Sequence, residues 1–205
     1  MAEIIKSIEE IEDIFRLVVL KIFKLDPEAK ENQQRVRFPW GSNLGKPNND
    51  IAPLLKKIKD VCVITIIPRE DLYNRQRHRR YEDRGERDLT LIEEHTDVHE
   101  VTFCNYGENA YECARKIRDG LFDLEIRRFL KQNHFALVTD VPAMRRVPEY
   151  FNSQWWNRCD VTVVFNEFVR LENEVKTIES INVQVKTVIN GNEITEEIFE
   201  KNINK

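Results

Sequence analysis

Apolar residues at positions 4, 8, 11, 15 (or 14), 18 and 22 recur at steps of three and four. That spacing predicts one face of an amphipathic helix within residues 1–25. Lys6, Glu9, Glu10, Asp13 and Arg16 supply its wet face. Asp26-Pro27 stops it, because the residue before a proline is driven out of the helical region. Residues 36–40 form a short apolar strand candidate ending in Trp40, read as a core residue. Residues 41–50 hold two glycines, a proline and three asparagines and read as loop. Residues 61–67 are a nearly continuous β-branched run closed by Pro68, the pattern of a buried strand.

Residues 89–106 predict one long strand, or two with a bend between; Val101 and Phe103 alternate with Thr102 and Cys104 near its end. Asn109 and Glu112 have capping-box spacing at the start of a helix. Ala110, Cys113, Ala114, Ile117, Leu121 and Leu124 share one helical face, and Gly120 and Asp123 divide the stretch into two helices, the second reaching about Asn133. Residues 135–141 predict a strand. Cys159, Val161, Val163 and Phe165 alternate with Asp160, Thr162, Val164 and Asn166, the clearest half-buried strand in the chain. Ile181, Val183 and Val185 predict another, followed by the hairpin-type turn Asn190-Gly191. Residues 189–205 read as a short amphipathic segment or a flexible arm. The whole predicts a single α+β domain over residues 1–205. Its expected form is a mostly antiparallel sheet of roughly four to six strands with helices packed on one face.

Length and charge leave that reading in place. A chain of 205 residues can bury roughly 70% of its unfolded surface, enough for its own core. A net charge of −4 gives no whole-chain drive toward nucleic acid. The longest apolar run, 61–68, is far short of the roughly 20 residues of a membrane-spanning helix. The opening residues do not resemble a secretory signal, so a cytoplasmic site of synthesis and assembly is expected. Cys62, Cys104, Cys113 and Cys159 show no C-x-x-C spacing and read as reduced core residues.

Candidate chemistry is sparse. His95 and His99 have the spacing of a helical zinc pair, but strand-forming flanks would set them about 13 Å apart along the chain, too far for one metal. There is no G-x-S-x-G elbow and no phosphate-binding glycine loop. Asp140, Glu149 and Asp160 are acids of the right type for acid–base work, but such residues are common on any soluble surface. No catalytic group, cofactor or metal is expected. Arg75, Arg77, Arg79 and Arg80 interleave with Tyr73, His78 and Tyr81. Such a cluster suits phosphate tracking with base stacking, or a subunit contact, or an ion-paired loop between strands. Residues 69–87 hold seven arginines against five acids, a net of +2.

Residues 142–160 read P-A-M-R-R-V-P-E-Y-F-N-S-Q-W-W-N-R-C-D. Pro148 lacks a backbone N–H and pushes Val147 toward extended geometry, so a long helix is excluded. On an extended backbone Trp155 and Trp156 point to opposite faces; one is expected to enter the core and the other to face outward. Arginine and tryptophan are enriched among interface residues whose truncation costs about 2 kcal/mol or more. The segment is therefore a candidate contact surface comprising Arg145, Arg146, Pro148, Tyr150, Phe151, Gln154, Trp155 and Trp156.

Pro142, Arg145, Pro148, Glu149, Phe151, Asn152, Gln154, Trp155 and Trp156, with Phe165-Asn166-Glu167 downstream, resemble bacteriophage neck or tail terminator proteins. The likeness is dense over 145–167 and looser upstream, through Tyr73, Asn74, Gln76, Arg77, Tyr106 and Asn109. It implies a structural virion protein at the head–tail junction and no enzymatic role. The implied assembly is a homo-oligomeric ring, a hexamer as in similar terminators, capping the tail tube. Implied partners are tail tube and sheath proteins, head connector or adaptor proteins, and genomic DNA passing through the lumen without sequence-specific binding. A closed ring needs two different complementary patches per subunit. The sequence offers the arginine region 75–80 and the proline–tryptophan segment, or strand addition along residues 89–106. The rival reading is a nucleic-acid-binding accessory protein using the arginine cluster.

Overall fold

The computed structural model describes residues 3–39, 60–83, 88–151, 153–176, 180–189 and 192–202. Trp40, the loop predicted at 41–50 and the turn at 190–191 lie outside the described residues. The fold is α+β and dominated by a mixed seven-stranded sheet. Its in-line order is β1 (Val36–Arg37), β2 (Asp60–Pro68), β4 (Asp88–Gly107), β9 (Arg158–Lys176) and β5 (Phe135–Leu137). Two further strands pair beside this path: β3 (Arg77–Asp83) on β4, and β6 (Arg145–Arg146) on β9. Five strands in line match the sequence expectation. Of the two extra ones, β6 has only two residues, while the seven-residue β3 is polar and mostly exposed, so periodicity does not mark either. β1 runs parallel to β2, while β2 with β4 and both β5 and β6 with β9 are antiparallel.

The chain divides into two compact units, one of Met1–His78 with Glu93–Leu171 and one of Arg79–Ile92 with Glu172–Lys205. In the first, helix α1 (Ile8–Ile22) begins at Ser7, three residues later than the first apolar position of its stripe. A capping box fixes that start: Glu10 N–H donates to Ser7 Oγ and Ser7 N–H to Glu10 Oε2. Ile4 instead makes an isolated antiparallel bridge with Arg170. The helix ends at Ile22, ahead of Asp26-Pro27, where Lys24 turns left-handed with φ 55°. A four-residue helix, α2 (Lys30–Gln33), precedes β1.

Helices α3 (Ala110–Gly120) and α4 (Leu124–Gln132) are the predicted pair, divided at Gly120 and Asp123. Asn109 does stand at the N-cap of α3, but its side chain makes no capping bond. It is drawn to Asp60, donating from Nδ2 at 3.0 Å, so a tertiary partner outcompetes the local box. A Cβ on Gly120 would lie 2.8 Å from Ile22 Cγ2, so glycine lets α3 approach the end of α1.

The core lies between these helices and one sheet face. Cys62 and Ile64 of β2, Val101 and Phe103 of β4, and Cys159, Val161, Val163 and Phe165 of β9 enter it, as alternation predicts. Phe15 sits at the centre in edge-on contact with Phe165 (4.8 Å between centroids) and Phe135 (5.3 Å). On the opposite face Thr102 and Thr162 hydroxyls meet at 3.1 Å. All four cysteines are free; Cys62, Cys104 and Cys159 are buried, while Cys113 is only half-buried. Burial pushes the Cys104 and Cys113 thiols up to about 11 and Cys62 well above its ordinary value.

In the second unit β10 (Ser180–Ile189) pairs antiparallel with β11 (Asn192–Asn202), with Ile189 opposite Asn192 and an irregularity between Asn182 and Gln184. Residues 192–202 are thus a strand and not a free arm. Ile194 and Ile198 are four apart, which suits helix and strand alike; pairing with β10 decides between them.

Candidate functional site: a fastened aromatic hairpin

Residues 149–156 fold into a small antiparallel ribbon outside the main sheet, β7 (Glu149–Phe151) against β8 (Gln154–Trp156). Tyr150 stands opposite Trp155 and Glu149 opposite Trp156. Ser153 takes φ 60° in the connection, a conformation that costs an L-residue about 1–2 kcal/mol. The Tyr150 and Trp155 rings contact each other at 5.3 Å between centroids, with an interplanar angle of 55°. Trp155 is 71% exposed and Tyr150 59%. Trp156 is half-buried, so neither tryptophan enters the core. The expectation of one inward ring fails because the segment pairs with itself and not with the core sheet. Pro148 and Gln154 are exposed, as are Arg145 and Arg146 on β6, and the two arginine side chains make no hydrogen bond or ion pair among the described residues. Phe151 lies on β7.

Two three-residue strands do not hold together alone in water. Arg158 fastens them. Its guanidinium donates through Nε and Nη2 to both oxygens of Asp160 at 2.8 Å, and through Nη1 to Glu149 Oε2 at 3.1 Å. Tyr106 donates its hydroxyl to the same Glu149 oxygen at 2.7 Å, and Arg158 lies over the Tyr106 ring at 5.5 Å. Backbone bonds from Val147 N–H to Arg158 C=O and from Gly107 N–H to Asn157 C=O flank the lock. The Tyr106 hydrogen bond, helped by Arg158, holds the Glu149 carboxyl below its ordinary 4.5 against the upward push of burial. The bond to Asp160 holds the Arg158 guanidinium up, and burial with the Glu149 bond raises the Tyr106 phenol.

A depressed folded-state pKa at Glu149 contributes stability that is complete above 4.5 and lost as pH falls through the folded value. Acid titration of tryptophan fluorescence should therefore report hairpin release below pH 4.5, ahead of loss of helical circular dichroism. Coincident transitions would show that Glu149 does not fasten the hairpin.

The other singled-out residues separate. Asp140 is exposed in a connection, whereas Glu149 and Asp160 meet at Arg158, spent on an ion-paired network and not poised as acid and base. His95 and His99 lie on strand β4. His99 Nε2 contacts Glu167 Oε2 at 2.7 Å, and His95 Nε2 lies 3.5 Å from Asp97. Among the described residues no group of three His, Cys, Asp or Glu side chains is placed to hold a metal ion. Arg75 sits in a 3-10 turn, Tyr73–Arg75, and pairs with Glu70. Arg77, Arg79 and Arg80 belong to strand β3, not to a loop, since β3 pairs with β4. Arg77 approaches Glu93 at 3.8 Å and Arg80 Glu82 at 3.1 Å. Pairing of β4 with β2, β3 and β9 places it inside the sheet, so strand addition along 89–106 is closed in unit one. The residue that sequence reading missed is Arg158; its signal was Asp160 two positions on, on the same strand face.

An α+β frame that presents exposed aromatics from a fastened ribbon is the class of fold and surface the described residues show. The particular family follows from comparison: residues 9–192 match the phage neck terminator protein family, and the chain belongs to it. It is a structural protein of the phage neck. A search of curated proteins returns no match. No helix among the described residues is long and apolar enough to cross a membrane.

Proposed function

We propose that the chain acts as one domain and forms a closed ring, a hexamer by likeness to similar terminators, on the end of the tail tube. There it ends tube growth, receives the head connector and leaves a polar channel for DNA. Assembly takes place in the host cytoplasm, and partners are tail tube, sheath and connector proteins. The observation carrying this reading is the exposed Tyr150–Trp155 pair, held rigid by Arg158 and flanked by the uncommitted charges of Arg145 and Arg146. Rigid aromatics with neighbouring arginines are what energetically dominant interface residues are made of. The arginines at 75, 77 and 80 favour direct DNA binding less, because their charges are met by Glu70, Glu93 and Glu82.

Arg145→Glu with Arg146→Glu should give folded protein that fails to join tails to heads, lowering infectious particles by about 100-fold through like-charge repulsion at the contact. Complementation of a phage lacking the gene measures this. Full titre from the variant would remove these residues from the interface.

A further inference from the structure

A heterologous ring contact needs a second patch, and the surface of α1 supplies one. Ile5 is 55% exposed and Ile8 49%, large apolar residues about half open among the described residues. Ile8, Glu9 and Glu12 lie on one stripe, because residues three and four apart are helical neighbours. Glu10 is committed to the capping box and Asp13 to Arg16, but Glu9 and Glu12 make no hydrogen bond or ion pair among the described residues. Burial raises the Glu12 carboxyl, opposed by the nearby charge of Arg16, with the like charges of Glu9 and Asp13 adding smaller upward pushes.

The hairpin patch is the converse. Its acids, Glu149 and Asp160, are both consumed by Arg158, leaving Arg145 and Arg146 beside Tyr150 and Trp155. The two patches lie toward opposite ends of β9. Arg158 fastens the hairpin, whereas Lys6 pairs with Glu167 at 3.5 Å and Ile4 bridges Arg170. At about 3.3 Å per residue these anchor points are roughly 30–40 Å apart, so one copy cannot satisfy its own patches.

Resting on the ring reading above, we propose that the basic aromatic hairpin of one copy docks on the acidic, isoleucine-bearing N-terminal half of α1 in the next. Charge sets the register, and Trp155 and Tyr150 cover Ile5 and Ile8. The contact is head-to-tail, as ring closure requires.

A reciprocal charge swap tests it, scored by infectious titre and by the chain's abundance in purified particles. Arg145→Glu with Arg146→Glu, and separately Glu9→Lys with Glu12→Lys, should each lower titre by about 100-fold. All four substitutions in one chain should restore titre to within about tenfold of wild type, since every pair is then opposite again. Circular dichroism confirms folding; if a reversal unfolds the protein, the glutamine variants of the same residues replace it, with losses of about tenfold. Loss without rescue in the combined variant, or normal titre from the α1 reversal alone, overturns the contact. Wild-type particles lacking the chain at the neck would instead overturn the ring reading itself.

Discussion

Phe15→Ala is expected to destabilise the protein by about 3–5 kcal/mol, the range for deleting a fully buried aromatic ring. Phe15 has no exposed surface, and its ring meets Phe135 and Phe165 from two different strands. Removing it forfeits both edge contacts and leaves a cavity between helix and sheet that a rigid strand pair cannot close. A domain of this size is stable by only about 5–15 kcal/mol, so the loss is a large share of the total. Urea denaturation should show a lower midpoint with an unchanged slope. A shift worth less than about 1 kcal/mol would mean that the neighbouring side chains collapse into the space.

Glu167→Ala should cost a similar amount, for an electrostatic reason. Glu167 is 3% exposed on the core-side face of β9, contacting His99 Nε2 at 2.7 Å and Lys6 Nζ at 3.5 Å. Lys6 also lies over the Phe135 ring at 5.4 Å. Removing the carboxylate leaves the Lys6 ammonium buried without its counter-charge, and breaking such a pair from one side costs about 3–5 kcal/mol. Replacing Glu167 and Lys6 together by methionine should recover most of the loss, because no charge is then stranded. Failure of the double variant to recover would mean that shape, and not charge, is what Glu167 supplies. Because Lys6 precedes the capping box, loss of this pair should also free the N-terminal segment and weaken the proposed contact at Ile5 and Ile8.

Legibility in the sequence followed the range of the interactions involved. The Ile11, Phe15 and Val18 part of the α1 stripe, the division of the helices at Gly120 and the alternation of Cys159 to Phe165 are local periodicities found as read, whereas Ile4 lies outside the helix and Ile8 is exposed. Boundaries were less legible where a distant partner competes with a local one. Asn109 is claimed by Asp60 across 49 positions, and residues 192–202 become a strand because β10 is beside them. The arginine region read as a loop for the same reason: its pairing partner is β4.

For the candidate site, composition marked the segment that folds as an exposed ribbon, since proline excludes a long helix there. Which ring faces outward depended on the pairing of Tyr150 with Trp155, and the anchoring of the ribbon depended on Arg158 reaching Glu149 and Tyr106.

The sequence by itself determined the α+β class, the principal helices and strands and the non-helical character of the proline–tryptophan segment, because these are written in residues a few positions apart. Tertiary structure alone decided that Trp155 and Trp156 stay out of the core, that β4 is closed to strand addition in unit one, and that Glu149 and Asp160 are spent on Arg158. Those outcomes depend on groups brought together across the fold, where partners near in space, not in sequence, decide how each segment is held.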